Sequence, residues 1–257
     1  MVHQIISYIK FLIASSNQHG VHSPFVYDLV TKCFYDQTNY PEYKALKNYR
    51  SELLQNKHIV KITDFGSGSK VFSSNNRPIN AIAKTSGSTL KNAKLLFRIA
   101  RYFQPTSVLE LGTNLGIATY ALALGNPKTS IVTIEGCDEL LKVATKTFAT
   151  NQITNITAIL GDFKTEIPKL NTQHWDLVFF DGDHSQASTL AYFEMLLPWV
   201  HNNSVFIFDD IYWSKDMSSA WEIIKAHPRV TVTIDTFNWG FVFFRKEQGK
   251  EHFKIRV

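Results

Sequence analysis

The chain has 257 residues, 44% hydrophobic and 19% charged, which is enough for one large domain with a sizeable core. That balance excludes a disordered or collagen-like chain. The formal net charge is +5, but the 27 Lys and Arg residues are scattered, so the excess reads as solvated surface and not as a nucleic-acid stripe.

In the opening stretch MVHQIISYIKFLIASSNQHG, Ile5, Ile6, Ile9, Leu12 and Ile13 fall at helical spacing. Gln4 and Lys10 interrupt the run, which is too short to span a bilayer. No basic region precedes it, which argues against a signal peptide. The expectation is an amphipathic helix docked on the body or on a second copy as a homodimer contact, with membrane adsorption the weaker alternative. Two cysteines, Cys33 and Cys137, point to a reducing compartment, hence the cytoplasm, with no disulfide framework.

Ser23 followed by Pro24 is a helix start, and residues 1 to about 50 read as helical. Residues 58–83 read as a hairpin or ordered loop, with FGSGSK as a turn because it lacks the Gly-Lys-Ser/Thr ending of a phosphate loop. From about residue 88, helix and strand alternate. The strands are SVLELG (107–112), SIVTIEG (130–136), ITAILGD (156–162), DLVFFDGD (176–183) and SVFIFDD (204–210). RVTVTIDTFNWGFVFFRK then reads as two strands joined at Asn238-Trp239-Gly240, followed by a solvated basic tail. The expected fold is α/β: a doubly wound, mostly parallel, seven-stranded sheet with an antiparallel C-terminal hairpin and an N-terminal helical extension. The expected division is an accessory region over 1–84 and a ligand-binding domain over 85–257.

Ligands of open α/β sheets sit beyond the carboxyl ends of the strands. Each of the five parallel strands ends on an acid: Glu110, Glu135, Asp162, Asp181 with Asp183, and Asp209 with Asp210. In ELGTNLG, Gly112, Thr113 and Gly116 form a tight turn, Gly112 allowing close backbone approach and Gly116 close helix packing. The Gly-x-Gly-x-x-Gly pattern of a dinucleotide site is broken, which argues against a nicotinamide-dependent oxidoreductase. Glu110 is placed to meet an ammonium, Glu135-Gly136 to meet ribose hydroxyls, and Asp162-Phe163 to frame an adenine. Together these describe S-adenosylmethionine.

VLELGTNLG, VTIEG, GDF, FFDGDHS and FDDIYW, each at the end of its own strand, resemble a class I S-adenosylmethionine-dependent methyltransferase over residues 85–246. The resemblance is to the catechol and caffeoyl-CoA O-methyltransferases and those of antibiotic sugars. It implies a divalent cation such as Mg²⁺ held by Asp181, Asp209 and Asp210, Asp181 also bordering the cofactor. It further implies a small hydroxylated acceptor and an acidic base at Asp183, with His184 as the competing base. A methyltransferase of nucleic acid or protein is the alternative, and no nucleic-acid partner is expected. Asp183 as a helix cap, and Tyr212-Trp213 as packing, are the plain readings beside these.

Overall fold

The computed structural model describes residues 2–63, 74–170 and 174–257, so the FGSGSK turn lies outside the described residues. In chain order the elements are α1 (Val2–Ala14), α2 (Pro24–Leu29), α3 (Glu42–Gln55), β1 (Ile59–Lys61), β2 (Asn76–Pro78), α4 (Ile79–Thr85) and α5 (Leu90–Phe103). Then follow β3 (Ser107–Leu111), α6 (Ile117–Gly125), β4 (Ser130–Glu135), α7 (Asp138–Thr150), β5 (Ile156–Leu160) and α8 (Phe163–Glu166). The last are β6 (Leu177–Phe180), α9 (Gln186–Leu196), β7 (Val205–Asp209), α10 (Lys215–Ala226), β8 (Val232–Asp235), β9 (Trp239–Phe243) and β10 (Glu251–Lys254). This alternation is that of a doubly wound, mostly parallel α/β fold. The chain divides into two compact units, residues 1–35 with 167–257, and residues 36–166.

In the unit of residues 36–166, β3, β4 and β5 are parallel and adjacent in that order. Val108, Leu109 and Leu111 of β3 are buried on both faces, as a strand covered on both sides requires. α5 starts at Thr89, whose hydroxyl accepts the Asn92 N–H at 3.1 Å, and it buries Ala93, Leu96, Phe97 and Ala100 at three- and four-residue spacing. β1 and β2 pair antiparallel, which answers the choice between hairpin and loop.

The other unit orders its strands β10-β8-β9-β7-β6. β6 and β7 are parallel, and β9 is antiparallel to both β7 and β8. The expected hairpin is therefore present but does not end the sheet. β10 pairs parallel to β8, an eighth sheet strand where seven were expected. Its residues Glu-His-Phe-Lys bury Phe253 alone, so an edge strand here carries too little apolar signal to be told from a solvated tail. α2 begins as expected, with the Ser23 hydroxyl accepting from Val26 N–H. Cys33 and Cys137 are both buried free thiols.

Candidate functional site

The turn after β3 is built from backbone that L-residues avoid. Gly112 has φ 106°, Asn114 φ 50° and Gly116 φ 76°. A Cβ on Gly116 would lie 2.7 Å from Phe148 and 2.9 Å from Ala144, so this glycine also sets how closely α7 approaches. The turn is braced from α3, where the Tyr49 hydroxyl donates to the Leu115 carbonyl. Residue 49 lies in the region expected to be accessory, yet it is part of the scaffold of the turn.

Glu135, the last residue of β4, is fixed by two backbone donors. Its carboxylate accepts the Asn114 N–H at 2.8 Å and the Cys137 N–H at 2.9 Å. The first ties β4 to the glycine turn, and the second organises the chain before α7. Asn114 itself was missed by the sequence reading. Its side-chain N–H donates to Ser86 O at 2.8 Å, while its Oδ1 is buried without a hydrogen-bond partner, an acceptor left for a ligand donor. An Asn at a position that needs positive φ was the available signal.

Glu110, the acid expected to meet an ammonium, lies below the rim. It is completely buried, and its Oε2 accepts from the Thr119 hydroxyl and, at 2.6 Å, from the Thr133 hydroxyl. Thr133 gives its one proton to Glu110, so at 2.6 Å Thr113 must donate to Thr133, and the Thr113 hydroxyl is consumed inside as well. Burial pushes the Glu110 carboxyl up to about 7. The two hydroxyls offset part of this, and the nearby Glu135 charge adds to it. The alternation of β3 turns this side chain toward α6 and β4, which is why a strand-end acid can lie below the rim.

Gly136 follows β4 as a bend, and Asp162-Phe163 lies at the β5 to α8 junction. The Asp162 side chain accepts the Lys164 N–H at 2.9 Å and its carbonyl the Glu166 N–H at 2.9 Å, so it caps α8. Phe163 is half-buried beside it. A cavity of about 570 Å³ opens along α3 and α7, lined by Tyr49, Glu52, His58, Lys142, Lys146 and Asn151 among others. It contains none of the expected cofactor residues.

In the other unit, the loops after the paired strands β6 and β7 bring a second set of acids together. Asp183 has φ 50°, and its Oδ2 accepts from the Tyr192 hydroxyl at 3.2 Å. It does not cap α9. Ser185 does, accepting from Ser188 N–H at 3.3 Å, so the plain reading of Asp183 fails. Burial lowers the pKa of His184, while the charges of Asp209 and then Asp183 raise it. Asp210, with φ 54°, is pushed up to about 7 by burial and then by Asp209. Asp181 is half-buried at the end of the same loop as Asp183. Tyr212 is packing, as the plain reading had it. Its ring stacks on Phe237 at 5.1 Å and its hydroxyl donates to Asp235 at 2.6 Å.

Among the described residues no group of three His, Cys, Asp or Glu side chains converges as a metal-ligand set. Asp181, Asp209 and Asp210 therefore do not close on one point as they stand. In kind, the donors fit a hard cation. They are carboxylate oxygens, and Asp210 is raised first by burial and then by the Asp209 charge, the second of which a cation would relieve.

Comparisons with known proteins show what the chain as a whole is similar to. Residues 109–211 match the family described as a methyltransferase domain. An O-methyltransferase, hkm8, of Aspergillus hancockii is 27% identical over 132 residues, which cover 49% of this chain and 52% of the relative. The chain thus spans about half the length of that curated relative. The O-methyltransferase of Bacillus cereus, solved in complex with S-adenosylhomocysteine, superposes with TM-score 0.55 and 21% identity over 64% of this chain and 87% of the other. The S-adenosylhomocysteine-bound methyltransferase PaMTH1 of Podospora anserina superposes with TM-score 0.63 and 14% identity, covering 88% and 97%. Residues 109–211 are thus similar to a methyltransferase domain, and the chain shares the fold of solved methyltransferases.

Proposed function

We propose that the chain is an S-adenosylmethionine-dependent O-methyltransferase acting on a hydroxyl of a small molecule. The observation that carries this reading is the Glu135 carboxylate held by the Asn114 and Cys137 amides at the mouth of the glycine turn. A carboxylate fixed at the end of the second strand suits a pair of ribose hydroxyls. The unpartnered Asn114 Oδ1 adds an acceptor for a further donor group. Phe163 offers a ring edge to the base, and Gly112 and Gly136 keep the backbone low. Glu110 serves from below, holding Thr133 and through it Thr113.

When bound, S-adenosylmethionine supplies an electrophilic methyl group on a positively charged sulfur. The acids after β6 and β7 serve the acceptor. Asp183 is the base that takes the acceptor's hydroxyl proton, and the Tyr192 hydroxyl orients its carboxylate. His184 is the competing base. Asp181, Asp209 and Asp210 would hold a divalent cation, which when bound supplies Lewis-acid polarisation of the acceptor hydroxyl. Residues 1–84 are the part left to shape acceptor access, with Tyr49 the exception. The two free thiols support a reducing, cytoplasmic setting.

The test is transfer of a labelled methyl group from S-adenosylmethionine to a panel of catechols and hydroxylated sugars, with and without Mg²⁺. Labelled ether product from any acceptor supports the reading. Label found only in RNA or protein overturns it. Asp183→Asn should abolish turnover where His184→Gln only reduces it, and the reverse order would move the base to His184.

A further inference from the structure

α1 is amphipathic the wrong way round for a helix that serves only its own chain. Its inner side is mixed. Tyr8 and Phe11 meet the Phe237 ring at 4.8 and 5.7 Å, and His3 meets the Ser218 hydroxyl at 2.9 Å. Its outer side carries Val2, Ile5, Ile6, Ile9, Leu12 and Ile13, all exposed, with Ile9 at 52% and Ile13 at 82%. At 100° per residue these six fall on one stripe. They expose on the order of 600 Å² of apolar surface, the upper end of what a monomer's largest patch shows. Two such faces together reach about 1,200 Å², the lower bound of a stable specific interface.

The order of the stripe indicates what covers it. Ile5 and Ile6 stand four and three residues before Ile9, and Leu12 and Ile13 stand three and four residues after it. Val2 apart, the pattern therefore reads the same in both directions about Ile9. An antiparallel copy of the same helix would set Ile9 on Ile9, Ile6 on Leu12 and Ile5 on Ile13. That is the self-complementarity a two-fold interface requires. A membrane surface is less well matched. Helices that lie on bilayers carry Lys and Arg on the face opposite the apolar one. Here Lys10 is the one Lys or Arg of α1, and the opposite face is used for packing on Phe237 and Ser218.

We propose that the outer face of α1 is a self-docking surface, on which two copies of the chain pair antiparallel about a two-fold axis at Ile9. The pairing also bears on the acidic loop. Tyr8 and Phe11 hold Phe237 at φ 72°, and Phe237 stacks on Tyr212, two residues beyond Asp210. Covering α1 thus braces a stack of rings that ends beside the acids.

Sedimentation equilibrium of the full chain at micromolar concentration reads the state directly and needs no substrate, so its outcome is independent of the proposed reaction. The wild type is expected at twice the chain's mass. Ile9→Glu places two carboxylates on the axis and should weaken association about 100-fold, with circular dichroism unchanged because the side chain is exposed, and with melting that no longer depends on protein concentration as the wild type's should. Ile9→Gln should fall between. Under diamide, Ile9→Cys should yield a covalent dimer and Ile13→Cys should not, since only residue 9 meets itself. The native thiols are buried and should not interfere. A wild type that stays monomeric, including one that pellets with lipid vesicles as a monomer, would overturn the proposal. So would a dimer that survives Ile9→Glu, or equal cross-linking at positions 9 and 13.

Discussion

Glu110→Gln removes a carboxyl group that folding carries out of water. The wild-type carboxyl titrates at 4.5 in the open chain and at about 7 in the folded one. Below pH 4.5 both states are protonated and the side chain is neutral. Between 4.5 and 7 the unfolded chain ionises first, so the folded state holds more protons and stability falls as pH rises. Above 7 both states are ionised and the deficit stays constant. At 1.36 kcal/mol per unit, the full difference is about 3 kcal/mol. Glutamine does not titrate, and its carbonyl can still accept from Thr119 and Thr133. Its amide would sit where Oε1 has no hydrogen-bond partner, an added cost that does not change with pH. The quantity to measure is therefore the difference between variant and wild type, not either stability alone. Urea unfolding followed by tryptophan fluorescence, from pH 4.5 to above 7, gives that difference, and other titrating groups cancel in it. The variant should gain about 3 kcal/mol on the wild type across the window. Curves that stay parallel would show that Glu110 is not a buried, raised carboxyl, and the assignment of the acid below the rim would fail.

Glu135→Ala should weaken S-adenosylmethionine binding by about 2 kcal/mol or more, read by calorimetry, and should also lower the melting temperature, because the Asn114 and Cys137 amides lose their acceptor. Asp209→Ala should remove methyl transfer while leaving donor affinity, and excess chelator should do the same to the wild type. Full turnover in chelator would show that the acids do not work through a cation. Gly116→Ala forces a Cβ into positive φ and against Phe148, and should cost about 2–3 kcal/mol in urea unfolding.

The sheet was legible because its strands are short apolar runs that end on glycine and acids, a pattern two-sided burial imposes. β10 was not, because an edge strand with one buried residue looks like a polar tail. The acids were legible as residue types but not as directions. Glu110 and Glu135 both end strands, yet Glu110 points inward to two threonines and Glu135 engages the amides of Asn114 and Cys137. Only the backbone geometry separates them. Ser185 took the cap that Asp183 was weighed for because Ser185 has the extended backbone usual at an N-cap, φ −117° and ψ 150°, whereas Asp183 is left-handed. Tyr49 was out of reach in principle, since a hydroxyl that braces a carbonyl 66 positions away leaves no local pattern.

Calorimetric titration of the full chain with S-adenosylmethionine tests the central claim most directly. One saturable site per chain, weakened about 30-fold or more in Glu135→Ala and kept in Asp209→Ala, is the predicted result. No binding heat at any donor concentration, or binding untouched by Glu135→Ala, would contradict the account.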